Sequence, residues 1–219
     1  MQILFEDKDL VVCVKPTGVL SQLGREGERN MLSMLKEQTD SEFYPVHRLD
    51  KNVGGVMVYA KNSRSAAALS KQIAEHNFVK EYYAVIHGEP EQKSAVLEDL
   101  LFKDSQKNKV FVVKRMRKGV KPAKLEYNAE RVAEIENEKI TLVHIRLYTG
   151  RTHQIRVQFA SRKHPLVGDS RYGAKDGRKD IALWSHKILF THPASGLKLE
   201  YSAPLPDYIS DLLGIRSEE

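Results

Sequence analysis

Apolar and polar positions along the chain come in short blocks whose period keeps changing, so they predict short strands with a few helices between them. Leu10 to Lys15 is a near-continuous apolar run, the pattern of a strand buried on both faces, and Pro16 and Gly18 stop it. Asn30 to Thr39 shifts to helical spacing, with Asn30 placed to cap the first turn. Gly55 to Ala60 is strand-like again. The clearest helix is Ser63 to His76, where Ala66, Leu69, Ile73 and Ala74 recur on one face, Asn62 or Ser63 caps the start, and Asn77 ends it.

Farther along, strands are predicted over Val79 to His87, Val110 to Lys114, Ala123 to Arg131 and Lys139 to Tyr148. Arg151 to Arg162 reads as a helix. Ala182 to His192 and Leu197 to Ser202 form a hairpin across Pro193 to Gly196, and a short helix over Pro206 to Leu213 closes the chain. Most of the connections between strands are too short for a parallel crossover, so the sheet is expected to be mixed and mostly antiparallel, in an α+β fold.

Composition narrows the picture. With 219 residues, 41% of them hydrophobic, the chain can bury one sizeable core or two small ones, and a single catalytic-size domain over 1–219 is expected. Lys and Arg total 35 against 29 acids, a net charge of +6, which suits an acidic partner without proving one. The excess is local. Between Leu101 and Leu125 nine basic residues face one acid, Asp104, so this stretch carries +8 and the remainder is slightly acidic. The segment 103–124 is either a solvated hairpin whose lysines guard its edges, or a basic arm that contacts phosphates through Lys114, Arg115, Arg117 and Lys118.

The single cysteine, Cys13, excludes an intrachain disulfide and a cysteine metal site, and its apolar setting predicts burial. The eight histidines show no metal-ligand spacing, so no metal is expected. No apolar run approaches membrane length and the N-terminus has no signal-peptide pattern, giving a soluble, cytoplasmic expectation.

Two motifs carry candidate chemistry: Pro45-Val46-His47-Arg48-Leu49-Asp50 and Thr149-Gly150-Arg151-Thr152-His153-Gln154-Ile155-Arg156. In an extended segment Arg48 and Asp50 face one side and His47 and Leu49 the other, and Gly54-Gly55 behind them permits close backbone approach. In the second motif Gly150 and Thr152, a possible cap, predict a helix start beside Arg151, with His153 and Arg156 on one face while Ile155 and Phe159 pack inward. An arginine within hydrogen-bonding reach of Asp50 would hold that carboxylate ionised and oriented. Tyr82 and Tyr83 adjoin in a strand, so one faces the core and one a cleft; the residues alone leave open which.

Taken together, these motifs resemble the RluA family of RNA pseudouridine synthases. The resemblance runs nearly end to end, through Ile3-Leu4-Phe5-Glu6-Asp7 and Val14-Lys15-Pro16-Thr17-Gly18, the two motifs above, Val79-Lys80-Glu81-Tyr82-Tyr83, and His164-Pro165-Leu166-Val167-Gly168-Asp169. It implies the pseudouridine synthase fold, a central sheet flanked by helices and loops and crossed by an active-site cleft. It also implies isomerisation of uridine in rRNA or tRNA stem-loops without cofactor or metal, by a monomer. Asp50 would then be the essential carboxylate, Arg151 its partner, and Tyr82 the residue that stacks on the flipped base. Arg48 would fill the space the nucleotide leaves, offsetting part of the unstacking cost. His47, Arg156 and the basic segment would contact RNA, and Ile155 and Leu166 either pack in the core or line the base pocket. No room is left before the opening strand for a separate RNA-binding domain, so site selection is expected to rest on this domain. The rival readings are a noncatalytic RNA-binding or chaperone protein on the same fold, and a hydrolase with paired carboxylates, which would need a second acid in a comparable setting.

Overall fold

The computed structural model describes residues 1–39 and 41–215. In chain order the elements are β1 (Gln2–Glu6), β2 (Leu10–Lys15), α1 (Met31–Gln38), β3 (Tyr44–Pro45), β4 (Gly54–Ala60) and α2 (Ser63–Ala74). There follow β5 (Val79–His87), β6 (Ser94–Asp104), β7 (Lys109–Val113), β8 (Val120–Ile135) and β9 (Glu138–Leu147). The last are α3 (Gln154–Ala160), a 3₁₀ turn (Ser170–Tyr172), β10 (Leu183–Thr191), β11 (Lys198–Ser202) and α4 (Asp207–Leu212). They fall into two units, Met1–Lys80 with Ser185–Pro204, and Glu81–Trp184 with Leu205–Glu219; the boundaries cut β5 after Lys80 and β10 after Trp184. No helix among the described residues is long and apolar enough to cross a membrane.

In the first unit the strand order is β1-β2-β4-β10-β11, with β3 also on β4. β2 and β4 pair antiparallel, Cys13 opposite Met57, and β4 is buried along its whole length, as its apolar run requires. Helices α1 and α2 start where expected: Asn30 Oδ1 accepts from Ser33 N–H at 3.0 Å, and Asn62 Oδ1 from Ser65 N–H at 2.8 Å. The end of α2 differs slightly, because His76 and not Asn77 takes the left-handed conformation (φ 60°) that turns the chain out of the helix. At Gly55 (φ 118°) β4 passes so close to Ser185 that a Cβ would collide with its backbone. Cys13 is fully buried, which pushes its thiol up to about 12.

In the second unit the order is β5-β9-β8-β6-β7. Strand β6 is a finding of the structure alone. Its sequence carries Glu98 and Asp99 in the middle, which breaks the alternation expected of a strand. Both charges are answered by residues distant in sequence: Lys124, opposite Glu98 on β8, at 2.8 Å, and Arg162, beyond α3, which reaches Asp99 at 2.8 Å. Strand β8 likewise runs well past the stretch predicted for it. Helix α3 is shorter than predicted, and every residue from Gln154 to Phe159 is buried. Leu101, Val110, Ala123, Val157 and Tyr172 form a core cluster beneath it.

Candidate active site

The segment around Asp50 is a loop between β3 and β4, and it is pinned by its own backbone. Ser21 Oγ donates to Leu49 O at 2.8 Å and accepts from Leu49 N–H at 3.0 Å, while Tyr59 Oη donates to Ser21 O at 2.8 Å. Asp50 O accepts from Val53 N–H at 3.0 Å, closing a tight turn. Behind that turn lies Lys15, which is 0% exposed. Its ammonium donates to Pro16 O at 2.9 Å, Val19 O at 2.5 Å and Lys51 O at 3.2 Å. Burial pushes the Lys15 amine down to about 8, and the negative charge of Asp50 opposes that shift.

On this scaffold Arg48 is exposed, Asp50 is half-buried and Leu49 is in the core. His47 turns inward, its ring against Phe78 with centroids 5.5 Å apart, and its Nε2 accepts from Val58 N–H at 3.2 Å. The proton therefore sits on Nδ1, which is buried without a hydrogen-bond partner. Desolvation, helped by the charge of Lys80, drives His47 down to about 3, so the ring is neutral.

The second motif lies in the other unit, where the expected cap does not form. His153 occupies the capping position in a left-handed conformation (φ 51°) without capping the helix through its side chain. Gln154 takes the part expected of Thr152: its Oε1 accepts from Arg151 N–H at 3.0 Å and from Thr149 Oγ1 at 2.8 Å, and its Nε2 donates to Lys124 O at 3.1 Å. A glutamine three residues after the start of the turn is the reach-back half of a capping box, a signal that the apparent Thr152 cap obscures. Arg151 is half-buried, with Nε donating to Pro122 O at 3.0 Å. His153 Nδ1 lies 2.9 Å from Tyr172 Oη, which also accepts from Val110 N–H at 2.9 Å.

Arg156 does not share a surface with His153. Its guanidinium pairs with both oxygens of Asp169, at 2.7 and 2.8 Å, and it is 5% exposed. Ile155 and Leu166 are 4% and 0% exposed, within the packed interior of the unit. Tyr82 is 5% exposed, whereas Tyr83 is half-buried against His144, with ring centroids 5.2 Å apart. The basic segment is a β6–β7 hairpin followed by a loop, residues 114–119. Lys114, Arg115, Arg117 and Lys118 all project from that loop into solvent, and the Arg117 guanidinium lies over the Phe102 ring at 4.9 Å.

Among the described residues, one group has the composition of a metal centre: Asp7, Asp9 and His192. His192 Nδ1 accepts from Ala194 and Ser195 amides at 3.2 and 3.0 Å, so Nε2 carries the proton and donates to Asp7 Oδ2 at 2.8 Å. No ring lone pair is left for a cation, and the group reads as a hydrogen-bonded tie between two turns.

Residues 9–161 match the family model described as RNA pseudouridylate synthase. The chain belongs to that family. Its members are isomerases that convert uridine to pseudouridine in RNA. The chain is similar to an uncharacterized RNA pseudouridine synthase of Mycoplasma genitalium, 31% identical over 97% of this chain and 69% of the relative. It is also similar to the dual-specificity RNA pseudouridine synthase RluA of Vibrio vulnificus, 34% identical over 89% of this chain and 79% of the relative. The human protein RNA pseudouridylate synthase domain containing 1 superposes with a TM-score of 0.80 at 20% identity, covering 98% of this chain and 86% of that one. That likeness places the mostly antiparallel α+β architecture in the pseudouridine synthase fold.

Proposed function

We propose that the chain isomerises uridines in structured rRNA or tRNA, with Asp50 as the reacting carboxylate. The carboxylate acts on the ribose of an extruded uridine, the C1′–N1 bond breaks with its electron pair going to the uracil, the uracil turns, C1′ bonds to C5, and the C5 proton is lost while N1 gains one. Tyr82 stacks on the base and is the candidate to accept that proton. Arg151 keeps the role the resemblance gives it, the cationic partner of the reacting carboxylate. Arg48, exposed beside Asp50, fills the place of the extruded nucleotide. Relatives named as a ribosomal large subunit pseudouridine synthase of Pasteurella multocida and a tRNA pseudouridine synthase of Haemophilus ducreyi support both substrate classes. The loop 114–119 contacts the RNA backbone. We assign Arg156 to holding the fold, because its guanidinium is spent on Asp169, and His47 likewise, because its Nε2 accepts from Val58 N–H and its Nδ1 is buried; Ile155 and Leu166 are assigned to core packing.

The observation that carries this reading is the setting of Asp50: a half-buried acid in a turn fastened by Ser21 and Lys15, in a chain of this family. Tritium release from RNA labelled at uridine C5 tests it. The wild-type protein is expected to release tritium and Asp50→Asn to release none while still binding RNA. Equal release by the variant would refute the assignment. No release by the wild type from total rRNA and tRNA would favour a noncatalytic RNA-binding protein.

A further inference from the structure

The β6–β7 hairpin gives its two faces different work. Leu101 and Val110, 3% and 2% exposed, pack in the core cluster with Val157 of α3 and Tyr172. The alternate residues face the other way, where Phe102 stands directly opposite Phe111 and Leu100 opposite Val113. Leu100, Phe102 and Val113 are half-buried, and Phe111 is 36% exposed although β7 is the edge strand of its sheet. A bare aromatic ring on an open edge is a liability unless something uses it. Cations attend both rings: the Arg117 guanidinium lies 4.9 Å from the centre of Phe102, and Lys109 Nζ lies 5.9 Å from that of Phe111 and 5.3 Å from that of Tyr172. The same face runs up to Arg151, whose Nε donates to Pro122 O at 3.0 Å, and Pro122 is the β8 residue opposite Leu100.

Aromatic faces attended by cations, in a stretch that carries +8, can take a nucleotide as a whole: the base stacks on the ring while the cation meets the phosphate. We infer that Phe111, with the Arg117–Phe102 stack beside it, seats one unpaired nucleobase of the bound RNA. An apolar protein surface is the poorer occupant, because covering the rings would strip water from Arg117 and Lys109 without supplying an opposite charge. Stacking accepts the face of any base, so the seat adds affinity and fixes the path of the strand near Arg151 without choosing sequence. The inference rests on the proposed function for RNA as the partner, and it does not depend on the role given to Asp50.

The test is equilibrium binding of a labelled RNA stem-loop with an unpaired, uridine-containing loop to the full chain across a chloride series, for wild type, Phe111→Leu and Phe111→Tyr. Leucine keeps the apolar bulk and removes the aromatic face. Phe111→Leu is expected to weaken binding about tenfold at every salt concentration while the slope of log K against log salt stays as it is, because a stacked base releases no counterion; Phe111→Tyr should bind as wild type does. Single abasic positions in the loop then identify the base. At one of them the abasic RNA should bind wild type about tenfold more weakly than the intact RNA does, and should bind Phe111→Leu no more weakly. Melting curves verify that each variant folds, and if Phe111→Leu does not, Phe111→Met takes its place. Unchanged affinity in the ring-free variant overturns the inference, and so does an abasic penalty of equal size in both proteins at every position. A lowered slope also overturns it, since Phe111 would then only prop the basic loop. Sedimentation covers the remaining occupant: a wild-type dimer that Phe111→Leu dissolves would give the ring to a second copy of the chain. Tritium release by wild type with affinity indifferent to Phe111 leaves the isomerase reading standing and removes the seat; binding through Phe111 without tritium release does the reverse.

Discussion

Arg156 grips Asp169 inside the second unit, Nε to Oδ2 at 2.7 Å and a terminal nitrogen to Oδ1 at 2.8 Å, with side-chain exposures of 7% and 1%. The 3₁₀ turn leans on the same pair: Asp169 O accepts from Tyr172 N–H at 3.0 Å, and the Tyr172 ring lies 5.1 Å from the Arg156 guanidinium. An arginine in a motif that resembles an RNA contact is thus committed to the interior. Arg156→Met strands the Asp169 carboxylate in the core and is expected to cost about 3 to 5 kcal/mol, read from urea unfolding. The salt slope of RNA binding should stay at its wild-type value. A slope reduced as much as by a loop substitution would return Arg156 to the RNA.

Tyr172→Phe removes one hydroxyl that serves two partners. Val110 N–H is left buried without an acceptor, and His153 Nδ1 loses its contact with the Tyr172 hydroxyl. About 1 to 3 kcal/mol of stability should be lost. The turn that carries Arg151 should also loosen, so turnover is expected to fall more than RNA affinity does. His153→Asn keeps an acceptor and tolerates the left-handed backbone, and should retain more activity than His153→Ala.

His47 makes stability sensitive to acid. Its folded-state pKa of about 3 lies below the ordinary value of 6.5, so between these the unfolded chain binds the proton and the folded chain does not. The stabilisation is complete above pH 6.5 and is lost as pH falls toward 3, at no more than about 1.4 kcal/mol per pH unit. His47→Gln has no such titration. Urea unfolding at neutral pH and at about pH 4.5 should therefore show wild type losing more stability than the variant. Equal losses would mean that the ring is protonated in the folded protein.

Neutralising Lys114, Arg115, Arg117 and Lys118 together is expected to weaken RNA binding at low salt and to reduce the salt slope by about 0.7 for each phosphate of single-stranded RNA that the loop no longer neutralises. Thermal stability should change little, because all four side chains are exposed. An unaltered slope would make the loop a solubilising device and nothing more.

How much of the fold and site was legible beforehand depended on range. β2, β5, the starts of α1 and α2, and the β10–β11 hairpin were readable because caps, apolar runs and turn residues act within a few positions of themselves. Asn30 and Asn62 each cap a helix three residues ahead, a relationship that spacing alone anticipates. β6 was hidden because Glu98 and Asp99 look wrong in a strand until Lys124 and Arg162 arrive from elsewhere in the chain. The start of α3 was misplaced for a related reason, since Gln154 is locked by the backbone of Lys124 on another strand.

The motifs identified the chemistry, and with it the family, because reaction type is written in residue identity and order. Only the tertiary structure decided which basic residues remain available to RNA. Arg117 and Arg156 carry the same guanidinium; one projects from an open loop and the other is spent on Asp169, and local sequence does not separate them. Desolvation and partner supply are properties of the packed chain, and no window of neighbouring residues contains them.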